Sequence, residues 1–114
     1  MRMLVLALLL AAAAPVRAQN IDATEAKAHV GQTVTVQGTV SAVHTIAGVG
    51  VTFIDMGARY PDVTFTAVIL PGDAAKFPDA ASLEGKDVAI TGVVRLYQGK
   101  PDILLQDATQ LTVK

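Results

Sequence analysis

Cysteine and tryptophan are absent from the 114 residues, aromatic side chains account for 4% and charged ones for 17%. Without cysteine there is no disulfide, no thiol nucleophile and no thiolate for zinc, so an ordinary apolar core has to hold the fold. His29 and His44 are the only histidines, and with no short-range ligand spacing they make a poor zinc site. No serine stands in a G-x-S-x-G context, which removes the nucleophile elbow. The apolar run from Leu4 to Ala14 has eleven residues, short of the ~20 that a helix needs to cross the hydrocarbon core. A basic excess is missing too. Nine Lys and Arg face ten Asp and Glu, the opposite of the footprint left by proteins that neutralise many phosphates.

What is present begins with MRMLVLALLLAAAAPVRAQN. Arg2, the apolar run and Val16-Arg17-Ala18 have the order of a secretory signal peptide over residues 1–18, with cleavage after Ala18. A periplasmic or secreted protein with no stable membrane anchor is expected. No cysteine follows the run, which excludes a lipid-anchored form. Cleavage removes Arg2 and Arg17 and no acid, so the mature chain carries seven basic against ten acidic residues, a formal charge of −3. Its 96 residues suffice for one compact domain and not for two.

Residues 19–30 read as an N-terminal helical segment. IDATEAKAHV, residues 21–30, has Asp22 or Thr24 as N-cap, helix formers behind it and Gly31 as the stop. Residues 31–114 alternate as strands. TVTVQGTVSAV sets Val34, Val36, Gly38 and Val40 on one face before the phase slips at Ala42-Val43, the mark of a bulge. The glycine-rich turn 46–50 leads into VTFIDMG, with Val51 and Phe53 assigned to one face, the core side. After the corner ARYPD, residues 58–62, comes VTFTAVIL with Phe65 inward. GDAAKFPDAASLEGK reads as Asp73 for N-cap, a short helical run through Phe77, a break at Pro78 and another turn to Leu83. DVAITGVVRLY and ILLQDATQLTVK form a final hairpin through QGKPD, the second strand interrupted near Asp107-Ala108.

GQTVTVQGTV, residues 31–40, is echoed by GKDVAITGVV, residues 85–94. With these strands in this order, the chain resembles the oligonucleotide/oligosaccharide-binding (OB) fold, and small exported bacterial proteins with such a barrel. The segments that carry the resemblance are GQTVTVQGTVSAVHT, TFIDMGARYPDVTFTAVI, AKFPDAASLEGKDVAITGVVRLYQGKPDILL and DATQL, about residues 31–113. It implies an all-β fold with short helices: a five-stranded Greek-key barrel with a helix between strands three and four. In that fold strands one and four lie side by side, so Gly38 and Gly92 are expected at their bends.

Chemistry is sparse. A nuclease on such a barrel needs clustered acids for a hard metal ion and arginines for the developing phosphorane charge. Here Asp55, Asp62 and Asp102 are single acids beside turns, and Asp55 can approach His44 across a hairpin. No enzyme activity, cofactor or metal is expected. A single-strand binder needs aromatic faces for bases and cations for phosphates. The candidates are Arg59 and Tyr60 in the ARYPD corner and Arg95, Tyr97 and Lys100 around the last hairpin, with Phe65 only if it faces outward. Weak binding of single-stranded DNA or RNA on the barrel face is the expected function. The alternative is a cell-envelope module that binds protein or glycan there without nucleic acid.

Overall fold

The computed structural model describes residues 18–114. Apart from Ala18, the signal peptide read above lies outside them. Eight strands follow: β1 Gln19–Asp22, β2 Thr33–Thr45, β3 Thr52–Gly57, β4 Val63–Ile69, β5 Asp87–Val93, β6 Arg95–Tyr97, β7 Lys100–Leu104 and β8 Leu111–Val113. They form one sheet in the order β6-β7-β4-β3-β2-β5-β8, with β1 beside β2. Thirteen-residue β2 is its spine. Residues 33–39 pair with β5 and residues 40–45 with β3, so one strand carries the sheet around its own bend.

The bend has a local cause. Val40 pairs with Met56 and Ala42 with Asp55, which leaves Ser41 as an extra residue. Its hydroxyl donates to the carbonyls of Asp55 and Ala58, both at 3.1 Å. The inserted residue moves the inward phase from Val34, Val36 and Val40 to Val43, which packs against the core. The expected slip in the alternation is therefore a β-bulge.

The echoed decamers pair with each other. Val36 lies opposite Ile90, Gly38 opposite Val88 and Val34 opposite Gly92. The ends match as well: Gly31 N donates to Val94 O and Gly85 N to Val40 O, each at 2.8 Å. Both decamers are entered by a type II turn. Val30 (φ −56°, ψ 132°) and Glu84 (φ −55°, ψ 128°) precede Gly31 (φ 86°) and Gly85 (φ 83°). A positive φ at the third turn position is what glycine supplies there. The echo is a structural solution used twice, once for each of two neighbouring strands.

Ile54, Met56, Phe65, Ala67, Ile69, Val88, Ile90, Ile103 and Leu105 fill the interior with the β2 valines. Several expectations need correction. The N-terminal segment is not an α-helix over residues 21–30: β1 runs parallel to β2, and a 3-10 helix covers Ala23–His29. Ile21, Ala23 and Ala26 are buried, so pairing and burial override a weak helical propensity. The insert between β4 and β5 is two 3-10 segments, Pro71–Lys76 and Ala80–Leu83, and Leu70 takes the N-cap expected of Asp73 because Pro71 starts the helix. Five strands become eight because the fourth breaks at Val94 into β5 and β6, the fifth breaks after Leu104 into β7 and β8, and β1 is added. Among the described residues the order of pairing does not close: β6 and β8 end it, each bonded on one side.

Gln110 ties the break before β8 to the neighbouring strands. Gln110 Nε2 donates to the Thr91 and Leu104 carbonyls at 3.0 and 3.1 Å, while its Oε1 accepts from Gln106 N and Asp107 N at 2.8 and 2.9 Å. Both donors and both lone pairs of the carboxamide are used.

Candidate functional site

The outer face of β2, β3, β4, β7 and β6 is the place to look, because these strands lie side by side and the corner and last hairpin sit at their ends. Register lines up Ala42, Asp55, Thr66, Asp102 and Arg95 in one row across five strands. The next row is His44, Phe53, Val68 and Leu104. Phe53 therefore faces outward, half-buried and stacked on the His44 ring at 5.2 Å between centroids, a correction to its assignment as a core-facing residue. Phe65, 1% exposed, faces inward and supplies no stacking surface.

Two carboxylates are buried in the first row, Asp55 at 3% and Asp102 at 6% exposure. Asp55 is matched by His44 Nε2 and the Thr66 hydroxyl, each at 3.2 Å. Asp102 is matched by Arg95, whose Nε and Nη2 donate to its two carboxylate oxygens at 2.8 and 3.1 Å. That hydrogen bond holds the Arg95 pKa above its ordinary value against the opposing effect of desolvation. With His44 reaching in from the next row, the polar groups read imidazole, acid, hydroxyl, acid, guanidinium, and both acids are matched within the face. Among the described residues no three His, Asp or Glu side chains are grouped to hold a metal ion.

The loop end differs. Gln98 (φ 50°) and Gly99 (φ 79°) make the two-residue turn between β6 and β7, which sets Tyr97 opposite Lys100. Lys100 Nζ donates to the Pro61 carbonyl at 2.7 Å. This bond joins the 58–62 corner to the last hairpin, so Tyr60, Tyr97 and Lys100 belong to one loop cluster. Tyr60 is 80% and Tyr97 64% exposed. Arg59 is on the same corner, where its carbonyl accepts from Asp62 N at 2.9 Å. Arg95 stands at the inner margin of the cluster with its charge matched by Asp102. Open clefts flank the face: one of about 410 Å³ beside Arg95, Leu104 and Gln110, the other of about 350 Å³ beside His44, Thr45 and Phe77.

Sequence reasoning found His44 near Asp55 but took Asp102 for a turn former. Its signal was the spacing R-x6-D across a tight turn, which places the pair opposite each other once the turn has two residues. Exposed Leu96 carried no signal, because a three-residue edge strand gives alternation too little length to show.

Known structures share this backbone. OBody AM1L10, in its complex with hen egg-white lysozyme, is similar with a TM-score of 0.63 and 18% identity over 89% of this chain and 98% of that one. The chain has an OB fold. Asparaginyl-tRNA synthetase from Pyrococcus horikoshii is similar with a TM-score of 0.60 and 17% identity, over 82% of this chain and 22% of the synthetase. Aspartyl-tRNA synthetase from Entamoeba histolytica gives 0.52 and 16%, over 75% and 19%. The chain thus spans about a fifth of either synthetase, and identities this low establish the OB fold alone. No family model and no curated protein matches the sequence.

Proposed function

We propose that the mature chain is an exported OB-fold binding module, not an enzyme and free of cofactors, that binds single-stranded nucleic acid weakly at the loop end of its outer face. The observation that carries this reading is the pair of exposed tyrosines, Tyr60 and Tyr97, in the loop cluster tied by Lys100. Exposed rings offer faces to bases, and Arg59 and Lys100 offer charge to phosphates. The fold shared with parts of tRNA synthetases supports the ligand class, and the leader pattern of residues 1–18 supports export to the periplasm or beyond. The formal charge of −3 and the Arg95–Asp102 pair keep the affinity low and salt-sensitive.

A protein or glycan partner of the cell envelope is the second reading, favoured by that same pair, which removes one cation from the face, and by an OBody holding a protein. Fluorescence anisotropy of labelled single-stranded DNA and RNA with the mature protein at low salt separates the two. Saturable binding in the micromolar range that weakens with salt is expected. A flat titration at high micromolar protein discards nucleic acid.

A further inference from the structure

We propose that Gln19 becomes the amino terminus of the mature protein and cyclises there to pyroglutamate. The inference rests on the export reading above, and a terminus at this residue keeps the whole of β1. Cleavage after Ala18 would leave Gln19 first, and β1 starts at Gln19, opposite Val34 of β2. A cut one residue later would shorten a four-residue strand. A cut several residues earlier would leave Arg17 ahead of it.

Gln19 also meets the physical requirements of the reaction. Its side chain is exposed. The carboxamides of Gln32, Gln37 and Gln110 are held by His29, by Lys114 and by backbone groups, whereas no group among the described residues holds that of Gln19. It is free to fold back on its own amine. The strand stays docked meanwhile: Ile21, two residues on, is buried, and Asp22 N donates to Glu25 Oε1 at 3.0 Å at the start of the following 3-10 helix. The terminal residue can react without pulling β1 from the sheet.

In the reaction the α-amine nitrogen attacks the side-chain Cδ and forms the C–N bond of a five-membered lactam. The Cδ–Nε2 bond breaks, and Nε2 leaves as ammonia with a proton from the amine. No oxidant or co-reactant is needed. The attacking amine must be neutral, and with an ordinary α-amino pKa of ~7.7–8.0 roughly a tenth is neutral at pH 7. Nucleophile and electrophile sit in one residue, so the step is unimolecular. The lactam keeps an N–H and a carbonyl for the edge of β1 and removes a positive charge from an acidic chain. It also leaves no free amine for an exopeptidase at the fraying end of an edge strand.

The 114-residue chain with a carboxyl-terminal tag should be expressed in a secreting bacterial host, recovered from the periplasm, held at neutral pH for several days and measured by intact mass and terminal-peptide fragmentation. The expected species is residues 19–114 lighter by one ammonia and resistant to aminopeptidase, with Gln19→Ser giving an unblocked, digestible chain. Residues 19–114 with a free amine after that incubation would overturn the cyclisation and leave export standing. A chain that retains residues 1–18, or is cut elsewhere, would overturn the export reading and this proposal together.

Discussion

The two mid-strand glycines of the echoed decamers, Gly38 and Gly92, occupy matching sequence positions but unequal surroundings. A methyl group at Gly92 would stand 2.5 Å from Ile103 Cγ2 and 3.1 Å from Gln110 Nε2, whereas at Gly38 it would meet only the flexible Met56 Sδ at 3.4 Å. Gly92→Ala therefore forces β5 away from β7, or displaces Ile103 and the Gln110 carboxamide with its four hydrogen bonds. Overpacking of this kind costs about 1–3 kcal/mol, offset by about 0.4–1 kcal/mol from the lower entropy of the unfolded chain. The net expectation for Gly92→Ala is a loss of about 1–2 kcal/mol, or roughly 5–15 °C in Tm for a domain of this size. Gly38→Ala should stay within about 0.5 kcal/mol of wild type. Urea unfolding followed by far-ultraviolet circular dichroism reads both, as a shift in midpoint at constant slope. Ile103→Leu removes the opposing methyl, so combined with Gly92→Ala it should show a favourable coupling of at least about 0.5 kcal/mol in a double-mutant cycle. Equal losses at the two glycines, or no coupling to Ile103, would refute the close approach of β5 and β7 as the reason for Gly92.

If Tyr97 stacks a base, Tyr97→Ala weakens single-strand binding by about 1–3 kcal/mol in the anisotropy assay; an unchanged Kd gives the ring a packing role only. Asp102→Asn unlocks Arg95 from its bidentate partner, so nucleic-acid affinity should rise and the log Kd against log salt slope steepen by about 0.7 for one added single-strand contact. Its stability cost should be near 1 kcal/mol, because Arg95 is half-exposed and re-solvates; unchanged affinity and slope would show that Arg95 lies outside the ligand path. Arg95 has a raised folded-state pKa, so its contribution is fully present below the ordinary arginine value and is lost only above it. Asp107 has the opposite sign. Hydrogen bonds from Thr109 N and its hydroxyl lower its pKa, so its contribution is present above ~3.9 and lost as pH falls through the folded value. The stability gap between wild type and Asp107→Asn should narrow below that pH in urea titrations, and a pH-independent gap would contradict this assignment.

The sheet spine was legible in the sequence because a half-buried strand writes its period into it. Val34, Val36 and Val40 alternate, and the slip at Ala42-Val43 recorded the Ser41 bulge. Asp107 as an interruption was legible for the same local reason, since its carboxylate caps the turn that follows. β1 was not, because four residues of parallel pairing with β2 leave no period, and the alanines that bury beside them also suit a helix. At the candidate site, the placement of both tyrosines beside turns was legible from turn chemistry, whereas the Lys100–Pro61 bond that joins the two loops left no sign in the sequence. The Arg95–Asp102 pair decides how much charge the face offers. It depends on a two-residue turn rather than a longer one, a register choice that residue types alone leave open.

The pairing of residues 33–39 with 87–93 joins positions 48 to 60 apart in the chain. During synthesis β2 can find β1 and β3 early, but its other edge waits until the second decamer has been made. The contacts that join β2 to β5 around Val36 and Ile90 therefore wait until Asp87–Val93 has been made and carry the loop-closure cost of that separation. A chain stopped before Gly85 carries an open, valine-rich strand edge with no partner. If the chain is exported unfolded, as proposed above, that late pairing acts as a timer: the sequence stays threadable until β5 has been made.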